Sequence, residues 1–184
     1  MKKTLFVLML LMVFSSYAQE PEAPVEKKNE LHLNAFNLIT FKWLDVSYER
    51  VLNEEASIGI SVLTTLDKES YGYDSYREYS ITPYYRHFFS NSYAKGFFME
   101  AFTMINGGQY ETYDWYYDDI NDIYVDEYEV TDYTDVAFGI SVGGKFISKR
   151  GFIGEIHAGV GRNLFDDNAP DVVGRGGISF GYRF

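Results

Sequence analysis

The feature that most constrains this chain is a two-residue alternation of apolar and polar side chains, which runs almost unbroken from Leu31 to Phe184. Successive side chains of a strand point to opposite faces, so this period is typical of β-strands, and the helical period is missing throughout. The chain is therefore predicted to be all-β, with eight strands bounded by turn or polar residues. These strands are 31–40, 43–52, 56–66, 76–89, 96–106, 130–146, 151–162 and 172–184.

The connections between the predicted strands alternate in length. Segments 52–55, 90–95 and 147–150 are short turns, whereas 66–75, 106–129 and 163–171 are longer. Only the first connection, near Phe41 and Lys42, breaks the pattern by being tight. An even number of antiparallel strands with short turns at one end and longer loops at the other predicts an eight-stranded antiparallel up-and-down transmembrane barrel. The short turns and both termini would then face the periplasm.

The two faces of the predicted strands differ in character. One face is apolar and aromatic, which predicts contact with lipid, and the other is rich in Gly and Ser, which leave room inside a narrow barrel. Pro83 falls on the apolar face and removes a ladder donor, so a bulge or irregularity is expected there. Trp43 and Tyr79 would mark the rim at the longer loops. The last strand carries the apolar pattern that outer-membrane barrels present for assembly, through Ile178, Phe180, Tyr182 and Phe184.

The charged residues of the predicted inner face balance, with four acids and four bases. An unpaired charge in a narrow interior is costly, so these residues are expected to form a plug of ion pairs that leaves no open channel. A gated ion path is the alternative interpretation. The acids are Asp45, Glu49, Glu100 and Glu155, and the bases are Arg86, Lys145, Arg175 and Arg183.

The N-terminus has the layout of a cleaved secretory signal peptide over residues 1–18. Lys2 and Lys3 precede an apolar stretch over 4–14, and small residues at Ser16 and Ala18 predict cleavage before Gln19. The apolar stretch is shorter than the roughly 20 residues that a membrane-spanning helix needs. Residues 19–30 are rich in Pro, Glu and Lys and are predicted to be a disordered periplasmic leader, followed by the barrel over 31–184.

The composition excludes several classes of function. The chain has no cysteine and a formal net charge of -11. The missing cysteines rule out disulfides, thiol chemistry and a lipidated N-terminal Cys. Loss of Lys2 and Lys3 with the signal peptide would make the charge more negative, which disfavours nucleic acid as a partner. Three scattered histidines give no zinc signature, so neither a metal site nor a cofactor is predicted.

The segment from Asn106 to Asp135 is acidic and aromatic, with ten Asp or Glu, eight Tyr or Trp and no Lys or Arg. The simplest interpretation is a solvated extracellular hairpin. The functional alternative is a recognition surface, because Tyr and Trp offer contact area at low entropic cost. Clustered carboxylates could also bind Ca²⁺ or bridge through divalent cations to lipopolysaccharide, although the EF-hand pattern is absent. The candidate surface comprises Tyr110, Tyr113, Asp114, Trp115, Tyr116, Tyr117, Asp118, Asp119, Asp122 and Tyr124.

An enzyme interpretation rests on three inward positions. Glu155 and His157 share one face of a predicted strand, and Ser141 lies inward on the preceding strand. A Ser/His/acid set requires hydrogen-bond contact between its members, and the register of these strands is open from the sequence. A histidine satisfied within the polar plug is the favoured interpretation, and no catalytic residue is predicted.

The chain resembles small OmpX/OmpA-type eight-stranded barrels in architecture. More closely, it resembles a Bacteroidota family of short outer-membrane barrels known only as a domain of unknown function. The similar segments span nearly all of the predicted mature chain. They are 44–55 (LDVSYERVLNEE), 84–89 (YYRHFF), 93–98 (YAKGFF), 143–152 (GGKFISKRGF), 159–165 (GVGRNLF) and 174–184 (GRGGISFGYRF). The resemblance implies an outer-membrane barrel, and it carries over no activity and no catalytic residue.

The expected function is that of a structural or interaction barrel in the outer membrane. Its expected partners are outer-membrane lipid and lipopolysaccharide, the barrel assembly machinery, and an extracellular ligand or protein that the sequence does not identify. A lipid-modifying outer-membrane enzyme is the first alternative, and a small-solute channel is the second.

Overall fold

The computed structural model describes residues 27–66, 77–90, 93–118, 123–166 and 168–184, with the backbone alone described for 110–118 and 123–129. Within these residues, eight antiparallel strands close into one barrel in sequence order, and the last strand pairs with the first. The predicted all-β fold with eight antiparallel strands is confirmed. The predicted signal peptide and most of the predicted leader lie outside the described residues. The strands are β1 (Asn29–Asn34), β2 (Trp43–Val51), β3 (Ala56–Thr65), β4 (Tyr79–Phe88), β5 (Gly96–Asp118), β6 (Ile123–Ile147), β7 (Phe152–Asn163) and β8 (Val172–Arg183).

The first connection contains a short helix, α1 (Ala35–Phe41), so the predicted strand 31–40 is wrong beyond Asn34. The Asn34 side chain accepts a hydrogen bond from the backbone N–H of Asn37 at 3.2 Å and caps the helix. Lys42 ends it with a left-handed φ of 55°. A helix of about two turns is too short to show its period in the sequence. The helix supplies the longer connection that the alternation of short and long connections requires here.

The predicted long connection 106–129 is mostly strand. β5 and β6 form one ladder of 23 pairs, from Gly96 opposite Lys145 to Asp118 opposite Ile123. β4 pairs with β5 only as far as Gly107, and β7 pairs with β6 only as far as Ala137. We call the projecting part, 109–118 with 123–132, the ribbon. Ten residues of strand extend it by roughly 30 Å beyond the barrel.

The predicted division of the strands into an outward and an inward face is confirmed. Outward Ile140, Ile156 and Phe180 are 58%, 62% and 59% exposed, whereas inward Glu49 and Arg86 are buried. Inward glycines leave room for large interior side chains. A Cβ at Gly59 would meet the Tyr84 ring, and one at Gly139 would meet the Phe102 ring. The barrel therefore has an apolar outer surface and a polar interior.

Two local predictions meet different outcomes. Trp43 does not mark the outer rim, because it lies on the same face of β2 as inward Asp45 and Glu49 and lines an interior cavity. Pro83 does interrupt the β4–β5 ladder, in which Thr82 and Pro83 have no partners. The register on both sides of this gap is the same, so the irregularity is a gap in pairing and not a bulge.

The interior is layered along the barrel axis. The turn end, where β2–β3, β4–β5 and β6–β7 connect, is filled by an apolar cluster of Val51, Phe88, Ala94 and Phe98. The loop end is the opposite end, and its interior cluster contains Tyr84, Phe102, Met104, Ala137 and Val173. Charged side chains occupy the space between these two clusters. Among the described residues, no helix has the length and apolar character to cross a membrane.

Candidate functional site: interior ion-pair network and loop-end cavity

Arg86 on β4 is the centre of the interior ion pairs. Its Nη1 lies 2.7 Å from Glu49 Oε2 and 2.7 Å from Glu155 Oε2, and its Nε lies 2.7 Å from Glu100 Oε2. Its guanidinium also lies against the Phe98 ring, 4.4 Å from the centroid. One buried cation thus joins carboxylates from β2, β5 and β7 across the barrel.

Lys145 and Arg183 extend the network toward the turn end. Lys145 Nζ lies 2.7 Å from Glu30 Oε2 and 2.5 Å from Glu49 Oε1. Arg183 Nε donates to Glu30 Oε1 at 2.6 Å, and its Nη2 donates to the carbonyl of Ala94 at 3.0 Å. The sequence predicts Glu30 in the leader, whereas the structure places it in β1. Glu30 directly precedes outward Leu31, so extending the strand alternation by one residue would have placed its side chain inside the barrel.

Arg175 extends the network toward the loop end. Its Nε donates to Glu100 Oε1 at 2.8 Å, and the Ser141 hydroxyl donates to the same oxygen at 2.8 Å. The structure therefore brings together seven of the eight predicted network residues. The eighth is replaced by Glu30, so that four acids still face four bases.

Asp45 is the predicted network member that lies elsewhere. Its Oδ2 accepts hydrogen bonds from the side-chain amides of Asn34 and Asn37 at 3.0 and 2.9 Å, and its Oδ1 accepts one from Ser61 at 2.5 Å. The short helix α1 places Asn37 here, which the sequence did not predict. Asp45 is thus held by neutral donors on the loop side of the ion pairs.

Two histidines border the network. His32 Nε2 lies 3.0 Å from Glu30 Oε2 and 3.8 Å from Glu49 Oε2, so these three residues have the spacing of a metal site. The Lys145 ammonium already lies between the same two carboxylates, and it supplies the positive charge that a metal would bring. The geometry favours an ion pair over metal coordination.

The Ser/His/acid interpretation does not match the contacts. His157 Nδ1 lies 3.3 Å from Glu155 Oε1, but the Ser141 hydroxyl donates to Glu100. In the β6–β7 register Ser141 lies opposite Gly159, and His157 lies opposite Gly143. Within the described chain, no hydrogen bond joins Ser141 to His157, so these residues do not form a relay.

A cavity of about 350 Å³ lies on the loop side of the network. Aromatic side chains line one part of it, and Phe41 packs on Trp43 with a centroid distance of 4.9 Å. Polar residues and a glycine-rich stretch of β8 line the rest. The lining includes Phe36, Asn37, Phe41, Trp43, Asp45, Ser61, Arg77, His157, Arg175 and Gly177.

Asp135 holds the β7–β8 connection at the loop end. Its carboxylate accepts backbone hydrogen bonds from Phe165 at 3.0 Å and from Asp166 at 3.1 Å, and from Leu164 and Val136. Four backbone N–H groups thus converge on one carboxylate. The Asp135 side chain is therefore part of the folded connection.

The ribbon carries the predicted recognition residues, apart from Asp119 and Asp122, which lie outside the described residues. Residues paired across an antiparallel ladder share a face. One face of the ribbon therefore carries five aromatic and three acidic positions, Tyr113, Trp115, Tyr117, Tyr124 and Tyr128 with Glu111, Asp126 and Asp132. The other face carries two aromatic and four acidic positions, Tyr110 and Tyr116 with Asp114, Asp118, Glu127 and Glu129. The register thus concentrates five of the seven aromatic positions of the ribbon on one face, whereas its seven acidic positions lie on both faces.

The predicted assembly residues lie on the outward face of β8. Ile178, Phe180, Tyr182 and Phe184 are each between 39% and 59% exposed. Phe184 exchanges two backbone hydrogen bonds with Asn29, at 2.8 and 3.1 Å, where β8 meets β1. The last strand therefore closes the barrel while its apolar side chains remain on the outer surface.

Comparison of the chain with protein-family models, with curated proteins and with solved structures finds no match in any of the three. The resemblance to a Bacteroidota barrel family therefore stays a prediction.

Proposed function

We propose that this protein is an outer-membrane barrel with a structural or interaction role, a closed polar interior and the ribbon as its extracellular recognition element. The observation that carries the proposal is the inverted distribution of side chains. A water-soluble barrel buries its apolar face, whereas here that face lies outward and the ion pairs lie inside. An exposed apolar surface of this extent is typical of contact with lipid.

Closure of the interior is supported by the ion pairs. Arg86 and Lys145 fill the middle of the barrel with carboxylates from several strands, and the apolar cluster fills the turn end. The ion-pair network therefore stabilises the barrel and serves neither solute passage nor catalysis. The partners of the protein are outer-membrane lipid and lipopolysaccharide, and the assembly machinery through the last strand.

The recognition role of the ribbon is supported by its projection and its composition. The face with five aromatic positions can supply contact area, and acidic positions on both faces make the ribbon strongly acidic. The partner of the ribbon is an extracellular ligand, surface or protein, and Ca²⁺ binding is an alternative role for its acids.

Cell fractionation tests the placement. The protein should be recovered with outer membranes, migrate differently on gels before and after boiling, and lose the ribbon to protease added to intact cells. Recovery in the soluble periplasmic fraction would overturn the proposal. Conductance near background in planar bilayers is expected for a closed interior, and steady ohmic steps would contradict it.

A matched variant isolates the ribbon. Residues 109–132 are replaced by the two-residue turn Asn-Gly, which suits a hairpin. The shortened protein should keep its heat-modifiable migration, because the removed ladder lies beyond the pairing of β5 and β6 with β4 and β7. Partners that co-purify with the intact barrel should be lost. Equal recovery of those partners with the shortened protein would show that the ribbon is not the recognition element.

A further inference from the structure

We propose that the loop-end cavity binds a small organic cation that carries an apolar group, with its positive charge on the Asp45 carboxylate. The cavity measures about 350 Å³, near the lower end of the range of roughly 300–1,000 Å³ found for small-molecule sites. It lies inside the barrel and is separate from the ribbon, so this inference does not depend on the recognition role proposed above.

The charge of Asp45 determines the sign of the ligand. Glu30, Glu49, Glu100 and Glu155 each lie within 2.8 Å of a cationic side chain. In the described part of the chain, Asp45 receives hydrogen bonds from neutral donors only and forms no ion pair within 4.0 Å. A carboxylate removed from bulk water is stabilised by a counter-charge. A ligand cation entering the cavity supplies one.

The carboxylate is held in position before any ligand arrives. Asn34 Nδ2 donates both to Asp45 and to the carbonyl of Gly176 at 3.1 Å, so this side chain joins β2 to β8. A Cβ at Gly177 would clash with the Asn34 amide, and glycine at this position leaves room for it. Asn37 is buried and is fixed by the helix that Asn34 caps. Fixed neighbours of this kind lower the ordering cost of binding.

The aromatic lining accounts for the apolar part of the ligand. Phe36 packs edge-on against Phe41 at 5.9 Å, and Phe41 packs against Trp43. The Arg77 guanidinium lies 5.7 Å from the Trp43 ring centroid and donates to the carbonyl of Gly174. The chain thus places one of its own cations on an aromatic ring of this cavity.

The other cation of the lining is neutralised by the protein. Arg175 lies 2.8 Å from Glu100 and packs 4.9 Å from the Tyr84 ring centroid. Arg175 is therefore paired with a carboxylate of the network. Among the described residues of the cavity lining, Asp45 is a carboxylate that forms no ion pair with the network. These contacts favour a cationic ligand over an anionic one.

Fluorescence of Trp43 tests the proposal directly. The chain contains two tryptophans, so Trp115→Phe in the refolded full-length barrel leaves Trp43 as the reporter in the cavity. The probes are 2-phenylethylammonium, neutral 2-phenylethanol and anionic 3-phenylpropanoate, which share a phenyl group and a similar length. The cation should give a saturable change and bind about tenfold or more tightly than the alcohol, as a charge-assisted hydrogen bond predicts.

Two variants separate the charge of Asp45 from general effects. Asp45→Asn should bring the affinity for the cation to that for the alcohol, whereas Glu54→Gln in an exposed turn should leave both affinities unchanged. A saturable signal that is equal for the three probes, or strongest for the anion, would overturn the proposal, and so would no saturable signal with the cation. If Asp45→Asn fails to fold by gel migration, the ranking of the three probes on the parent barrel decides the question.

Discussion

Arg86 and Glu155 form a two-pronged ion pair inside the barrel, with Nη1–Oε2 and Nη2–Oε1 distances of 2.7 and 2.8 Å. The pair joins β4 to β7, strands that are not neighbours in the sheet. A planar guanidinium fits a carboxylate in this geometry, and a lysine ammonium does not. The backbone ladder holds adjacent strands together, and this contact braces strands that face each other across the interior.

Removing the central cation should strongly destabilise the barrel. Arg86→Met leaves Glu49, Glu100 and Glu155 without it, and breaking a buried pair costs about 3–5 kcal/mol. Urea unfolding in liposomes, followed by gel migration, measures the loss. Arg162→Met, at an exposed position on β7, is the control. Adding Glu155→Gln to Arg86→Met should recover part of the stability, and an unchanged unfolding midpoint for Arg86→Met would refute the structural role of the network.

Two glycines of β6 test the packing of the interior. A Cβ at Gly139 would meet the Phe102 ring and the backbone of Val160, whereas a Cβ at Gly144 has nothing within 4 Å. Gly139→Ala should therefore lower the free energy of unfolding by about 1–3 kcal/mol, the usual cost of overpacking. Gly144→Ala should leave it nearly unchanged. Equal effects of the two substitutions would show that the interior has more free space than these contacts indicate.

Arginine substitutions on the outer face of β3 test contact with lipid. Ile60 lies in the middle of the strand, and Thr64 lies on the same face near its loop end. In a membrane barrel, Arg costs about 2–4 kcal/mol at the midplane and about 0–1 kcal/mol near the interface. Ile60→Arg should thus be destabilising in liposomes and Thr64→Arg nearly neutral. If the outer face contacts water, neither substitution should have a measurable cost.

The β7–β8 connection should depend on the carboxylate of Asp135. Its oxygens accept hydrogen bonds from the backbone N–H groups of Leu164, Phe165 and Asp166. Asp135→Asn replaces one acceptor oxygen with an amide donor, so it should weaken these bonds. Hydrogen exchange at Leu164, Phe165 and Asp166 measures the change, with Asp132→Asn in the ribbon as the control. Unaltered protection of these amides in Asp135→Asn would contradict this assignment.

Sequence reasoning reached the barrel because strand alternation is local. Parity along β3 and β6 alone shows that Ile60 and Ile140 share the apolar face and that Ser61 and Ser141 share the polar one. The same reasoning missed α1, since seven residues with a cap are too short to show a helical period. The predicted end of β5 is also too early. The ribbon is rich in acids and tyrosines, so it lacks the apolar alternation by which the other strands are recognised.

The alternation along a strand shows which charged residues point inward, but it does not show which of them pair with each other. Lys145 and Glu30 are 115 residues apart in sequence and 2.7 Å apart in space, and the stagger of the closed sheet brings them together. Asp45 has the same inward parity as Glu49, but the helix places Asn37 beside it, and its contacts are neutral. The resulting cavity has no sequence signature, because only the folding of α1 brings Phe36 into the same lining as Trp43 and Asp45 of β2.

The sequence by itself therefore determined the strands and the two faces of this protein, because the direction of a side chain in a strand depends only on its position in the alternation. The tertiary structure decided which charges meet, where the ribbon leaves the barrel and which carboxylate lines the cavity. Those features depend on register and closure, which arise only when all eight strands pair.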